Sequence, residues 1–408
     1  MNTKCLQIGM IDKYCHVYIC KWFLLVMTGC LFLCGCVNTN SKVASSQDIP
    51  IIDLTKNYPE KEFVADDADK EYIPLETTDE VLADAGFRIE YVSEQHIVGT
   101  NMSRGDIFIF DRNGKVVSYF NNKGGSNNEY TSLSSMVFDE KAQEIFVADI
   151  QNKNRCLVYA TDGKYVRQFN YPDSSSISKI YDFDEHTLLA YNEHRQDYNA
   201  EDINQKMPYV FLSKKDGSVV SRLDLSFPKR NSDRPIIDLG GGVIAPVRIS
   251  TTYNVKFGQE YIIADKSSDT IFLLTQGKKL TPLFVRTPTV LDENQLTIIS
   301  VDFKTDTYLF LNTFTYDWND IRAQISNGRI LSLPSKNFAY DLHTGQIFSV
   351  SDGPSGINDA PANTAVRSIS AYRLLDDLEN GKLEGKIKQV AQTIDWDDNP
   401  VVEIVKFK

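Results

Sequence analysis

Outside its first 36 residues the chain has a single cysteine, Cys156, although it has seven in all. No internal disulfide can brace the folded part. Histidine is scarce, with only His16, His96, His186, His194 and His343, so a His-based triad or metal cluster has few members to draw on. There is no phosphate-binding Gly-x-x-x-x-Gly-Lys loop, no Gly-x-Ser-x-Gly elbow, no His-Glu-x-x-His, and no Cys-x-x-Cys beyond the leader. The motif-bearing enzyme classes are therefore not called for. Lysine and arginine are also short: 43 against 55 Asp and Glu, a net charge of −12, with no dense basic run. Such a surface repels a phosphate backbone, and nucleic acid is not an expected partner.

The remaining composition is that of a chain that folds: 408 residues, 42% hydrophobic, 11% aromatic and 24% charged. Six of the seven cysteines fall in the first 36 positions, beside Lys4, Lys13 and Lys21 and an apolar run at 22–34. That run is shorter than the about 20 residues a bilayer-spanning helix needs, and reads as a secretory signal. It ends in Leu33-Cys34-Gly35-Cys36, which resembles a bacterial lipobox. The resemblance implies cleavage after residue 35 and acylation of Cys36, with residues 1–35 as signal peptide. Residues 36–48, mostly Asn, Thr, Ser, Lys and Gln, read as a flexible tether, and residues 49–408 as one folded domain. Acyl groups on Cys36 would make a membrane its first partner. No acidic residue directly follows Cys36, which favours a cell-envelope protein anchored in an outer membrane.

Beyond the tether, apolar residues alternate with polar ones in short runs separated by turn residues, the β rather than the helical period. A strand, a polar turn ending in glycine and a second strand recur around Gly114, Gly163, Gly217 and Gly345. Tight hairpins require positive φ, which glycine adopts without a Cβ clash. The first three glycines recur about every 50 residues, the period of propeller blades, and the segment 262–274 supplies a further strand pair without the glycine. The expected fold is all-β: a β-propeller of six blades, or seven, since 49–408 holds that many units of roughly 50–60 residues. Near the end, Leu374, Leu375, Leu378, Leu383, Ile387, Val390 and Ile394 are spaced for one or two short amphipathic helices broken near Gly381. The closing strand, 401–407, is expected to pair with an N-terminal strand from 49–54 or 72–76, because a radial array protects its edges by joining its two ends.

Several segments then match a family pattern. Residues 145–163, with Asp149, Asn152, Asn154, Arg155 and Asp162-Gly163, resemble an NHL-type propeller blade. Gly124-Gly125-Ser126-Asn127-Asn128-Glu129-Tyr130 resembles the Gly-x-Gly-Pro-Gly-Glu-Tyr loop of the six-bladed β-propeller lipoproteins of Bacteroidota, with Ser126-Asn127-Asn128 in place of Gly-Pro-Gly. Segments 72–76, 268–272, 282–285 and 399–406 carry the likeness along the chain. It implies the propeller and an envelope location.

For function, loops at a propeller's channel mouth are the natural ligand site, and Glu129, Tyr130 and Arg155 fall near such loops. An Asp149–Arg155 pair that pins a turn is the plainer role for Arg155. Tyr191, Tyr198 and Tyr209 border a polar stretch and could form an exposed sugar platform. The acidic groups Asp182-x-Asp184-Glu185, Asp66-Asp67-x-Asp69 and Asp395-x-Asp397-Asp398 could take Ca²⁺, although none has a complete calcium-loop spacing. Cys156, next to Arg155 in an apolar run, reads as a buried thiol. No catalytic residue or metal ligand is assigned. The expected function is a lipid-anchored, noncatalytic binding module for a glycan, peptide or partner protein. The alternative is a metal-dependent, lactonase-like hydrolase or lyase with a cation in the channel.

Overall fold

The computed structural model describes residues 49–407 apart from 64–68, 84, 150, 152–153, 173–174, 195–197, 250–253, 330, 352, 355 and 358. The leader, Cys36, the tether, Asp66, Asp67 and Asn152 thus lie outside the described residues. Six sheets of antiparallel strands form a six-bladed propeller, settling the choice between six and seven. The first blade is Arg88–Val92, His96–Asn101, Asp106–Asp111 and Val116–Phe120. The second is Ser135–Asp139, Glu144–Asp149, Arg155–Ala160 and Tyr165–Asn170. Ile177–Asp182, Thr187–Asn192, Tyr209–Ser213 and Val219–Arg222 make the third, and Asn254–Phe257, Glu260–Ile263, Thr270–Thr275 and Leu280–Thr287 the fourth. The fifth is Gln295–Lys304, Tyr308–Asp317, Ser335–Asp341 and Ile347–Ser349.

Both ends of the chain build the sixth blade. Val401–Lys406 pairs on one side with Thr364–Ile369 and on the other with the N-terminal strand Asp69–Pro74, all antiparallel. Of the two N-terminal strands expected to close the ring, the second does so. The first, Ile51–Asp53, runs parallel to Leu280–Thr287 as a fifth strand on the fourth blade. The irregular segment ahead of Thr364–Ile369 reaches the inner strands of three other blades through backbone bonds: Gly356 N to Asp302 O at 2.8 Å, Val92 N to Asp359 O at 3.0 Å and Gly258 N to Ala360 O at 3.4 Å.

Cores form between neighbouring blades. Val98, Ile107 and Ile109 of the first pack with Met136, Phe138, Ile145 and Val147 of the second, all buried. A hairpin and a helical pair, besides the short helices Ile203–Lys206 and Trp318–Ser326, stand outside the blades among the described residues. The hairpin Ile236–Gly240 and Val243–Pro246 packs Ile237 and Val247 against Leu296, Tyr316 and the helix residue Ile321 of the fifth blade. The helices Ala371–Glu379 and Gly385–Ala391 lie between two strands of the sixth, on either side of Gly381 at φ +66°, as the leucine spacing indicates.

The turn glycines join blade to blade. Gly163 has φ +80°, and a Cβ there would come within 2.6 Å of the Phe120 ring at the end of the first blade's outer strand. Gly217 stands in the same relation to Phe169 of the second blade, at 2.2 Å, and Gly114 to Pro74 O of the closing blade, at 2.2 Å. The outer turns of the first three blades therefore seat at the end of the preceding outer strand. Only a residue with no Cβ satisfies both the backbone angle and the contact. Gly163→Ala is expected to lower unfolding free energy by about 2–4 kcal/mol, the left-handed penalty plus overpacking. A denaturation midpoint equal to that of the wild type would show that this joint carries no load.

Candidate functional site

Glu129, Tyr130 and Arg155 do come together, at one loop. Arg155 is 1% exposed; its guanidinium donates to Asn127 O and Gln168 Oε1, each at 2.6 Å, and to Glu129 O. It lies 3.5 Å from Asp149 Oδ2, whose carboxylate also accepts from Thr131 N at 3.0 Å and Ser132 N at 3.1 Å. Tyr130, fully buried, donates to Gly105 O at 2.5 Å and accepts from Asn122 N at 3.0 Å. The partly exposed Glu129 side chain accepts from Ser126 N at 2.9 Å. Arg155 and Asp149 therefore clamp the 124–132 loop onto the second blade and Tyr130 ties it to the first, and among the three candidates only Glu129 stays partly open to solvent. Because buried loop carbonyls need donors, an arginine that supplies several is the economical solution.

The tyrosine platform does not exist in the expected form. Tyr191 and Tyr209 are 1% and 0% exposed, packed in the third blade's core. The polar stretch after Tyr191 leaves the blade, but both tyrosines belong to its strands. Cys156 is buried, and burial pushes its thiol up to about 12. Among the histidines, His96 Nδ1 is 2.6 Å from Glu140 Oε1 and His194 N donates to Asp233 Oδ2 at 2.7 Å. Asp184 accepts from His186 N and Thr187 N, Glu185 pairs with Lys141, and Asp398 accepts from Asp395 N.

At the channel end where the inner strands finish, five charges alternate in sign across blades. Lys214 Nζ bridges Asp139 Oδ2 and Asp182 Oδ1, each at 2.6 Å. Lys256 Nζ bridges Asp182 Oδ2 at 3.0 Å and Asp359 Oδ2 at 2.8 Å. This chain ties the second, third and fourth blades to the segment leading into the sixth. Tyr261 also donates its hydroxyl to Asp182 O. Burial alone would lower the Lys256 ammonium, but Asp359 and Asp182 hold it above its usual value. Burial raises Asp359 to about 6 against the pull of Lys256, and burial raises Asp302, on the fifth blade's inner strand, to about 6. A cavity bounded by Glu90, Tyr91, Lys179, Asp182, Lys256 and Asp359 leaves about 30 Å³ for water centres, room for about two waters. Among the described residues, no group of three or more His, Cys, Asp or Glu is placed to hold a metal.

A much larger groove lies between the helical insertion and the sixth blade. It encloses about 640 Å³ and is bounded by Phe87, Arg367, Ser368, Tyr372, Arg373, Trp396 and neighbours. Its position follows from the helix period: Ala371, Leu374 and Leu375 are buried in the helix, and Leu374 packs with Val401 and Ala391, so Tyr372 and Arg373 fall on the outer face. Tyr372 is 67% and Trp396 45% exposed, their ring centroids 5.4 Å apart at 57°. The helical spacing marked the insertion in the sequence. Nothing in it marked this aromatic pair, which sits 24 positions apart and meets only when the second helix folds back.

The fold and these two places define a six-bladed propeller with a charge-bridged channel and a lateral groove. A family described as "Domain of unknown function (DUF4934)" matches residues 49–406, and the chain belongs to it. No curated protein matches the chain. Among solved structures, a Bacteroides fragilis protein classed as exported is similar at 16% identity and TM-score 0.57, over 88% of this chain and 99% of that one. A DUF4221 family member from Bacteroides vulgatus has 11% identity and TM-score 0.49, over 83% and 97%. Virginiamycin B lyase from Staphylococcus aureus has 11% identity and TM-score 0.38, over 84% and 100%. The first of these likenesses shows the shared fold.

Two measurements test the channel. Lys256→Met leaves Asp359 buried without its cation and is expected to cost about 3–5 kcal/mol near neutral pH. The deficit should shrink as pH falls through about 6, where Asp359 takes its proton, and an unchanged stability would make the bridges incidental. The folded chain holds the Asp302 proton up to about pH 6, whereas the unfolded chain releases it near the ordinary 3.8. Stability from this group is therefore present below about pH 4 and lost as pH rises through 6, on the order of 3 kcal/mol. Asp302→Asn should melt above the wild type at about pH 7.5 and level with it at about pH 4; a constant difference would contradict the assignment.

Proposed function

We propose that the protein is a noncatalytic binding module of the cell envelope, carried at a membrane by acyl groups on Cys36 and presenting the sixth-blade groove to a glycan, peptide or partner protein. One observation carries this reading: a groove of about 640 Å³, within the usual ligand-site range of about 300–1,000 Å³, has two solvent-exposed aromatic rings on its wall. At the channel end, lysine ammonium groups occupy the positions between the carboxylates. The envelope location is supported by the leader ending in Leu33-Cys34-Gly35-Cys36 and by the exported class of the Bacteroides fragilis neighbour. The absence of acidic residues after Cys36 favours the outer membrane. Glu129, partly exposed above its clamped loop, is a secondary contact point for a large partner.

The test uses protein labelled in growing bacteria with a radioactive fatty acid and purified in detergent. Label is expected on the wild-type chain and not on Cys36→Ser, and a ligand captured from a glycan and peptide array is expected to elute with unchanged mass. Unlabelled wild-type protein overturns the anchor; a chemically altered ligand overturns the noncatalytic reading.

A further inference from the structure

We infer that the sixth-blade groove binds a neutral oligosaccharide, with Tyr372 and Trp396 as its stacking platform; this rests on the reading of the protein as a binding module and names its ligand class. A large aromatic side chain ordinarily gains by burial. Here two stand in solvent side by side, although the helix that carries Tyr372 buries its leucines beneath.

The backbone that carries both rings is held in place before any ligand arrives. Tyr372 is the second residue of a helix whose cap, Ser370 Oγ, accepts from Arg373 N at 3.3 Å. Trp396 sits in a turn closed twice, by Asp395 N to Asp398 Oδ2 at 2.8 Å and by Asp398 N to Asp395 O at 3.1 Å. A ligand meeting them loses little of the protein's conformational freedom.

The chemistry around the rings selects the ligand. A pyranose ring offers an apolar C–H face and a rim of hydroxyls, each both donor and acceptor. The groove supplies the flat apolar surface and both kinds of polar partner: donors from Arg373, whose Nε is 4.0 Å from Asp377 Oδ2 and so beyond hydrogen-bond reach, and acceptors from Asp398 and Asp377. The charges of the bounding residues balance, with Arg367 and Arg373 against Asp377 and Asp398. Arg367 is already paired with Glu403, and Asp377 with Lys382 at 2.9 Å. The wall thus offers no net charge to a strongly anionic or cationic ligand, whereas a neutral polyhydroxylated one can use the Arg373 donors and the remaining carboxylate lone pairs. The groove's volume gives room for more than one sugar ring.

Calorimetric titration of the purified protein with maltohexaose, cellohexaose, xylohexaose and mannohexaose tests this. At least one is expected to bind, with affinity falling at least about tenfold in Tyr372→Ala and in Trp396→Ala while melting temperature stays unchanged. Trp396→Phe, which keeps a flat ring, should retain most of the affinity. Binding of none of the four at millimolar concentration overturns the inference, as does binding that both alanine variants leave intact. A peptide that binds in the groove in their place also overturns it, while leaving the binding-module reading standing. A hexasaccharide that binds and emerges cleaved upholds the sugar class and overturns the noncatalytic reading instead.

Discussion

The seating of the outer turns at Gly114, Gly163 and Gly217 on the strand before each is the contact on which half of the ring depends. A propeller has no continuous hydrogen-bonded ladder from one blade to the next, so the blades are held by side-chain packing between sheet faces and by contacts at their rims. Here the rim contact is the same object repeated: a glycine in the left-handed region, pressed against Phe120, Phe169 or Pro74 O. The last of these sits on the strand that the N-terminal part of the chain lends to the closing blade. The device that spaces neighbouring blades thus also locks the junction between the chain's two ends.

The channel is organised by charge rather than by packing alone. Two lysines and three aspartates alternate across the inner ends of the blades. Each buried charge has an opposite neighbour, which offsets a desolvation that none of them could bear singly. Asp302 and Asp359, both raised to about 6, mark where that compensation is least complete. The same arrangement tightens the channel to water-sized space and leaves ligand-sized room at the side, where the helical insertion departs from the sixth blade. The roomier space thus lies at the rim rather than on the axis.

Much of this was legible in the chain. The alternating period, the recurring Gly114, Gly163 and Gly217, and the leucine spacing after residue 371 gave strands, blade interval and helical insertion, because local backbone preference and hydrophobic period act over a few residues. The closing strand pair was also readable in outline. The tyrosines were not: Tyr191 and Tyr209 stand next to polar residues in sequence but pair across strands in the third blade, and burial depends on the partner strand. The Arg155 clamp was half readable, since Asp149 is close in sequence while the carbonyls of Asn127 and Glu129 arrive from another blade junction.

By itself, then, the sequence determined an all-β repeat with about fifty residues to a blade and an acidic composition, since composition, period and turn chemistry are carried by neighbouring residues. Only the tertiary structure decided that six blades close the ring, that Asp69–Pro74 rather than Ile51–Asp53 completes it, and that Asp139, Asp182, Lys214, Lys256 and Asp359 meet. It alone set Tyr372 beside Trp396. Each of these is a meeting of residues far apart in the chain, fixed by the angle between packed blades and by the return path of two helices, and no local preference encodes either.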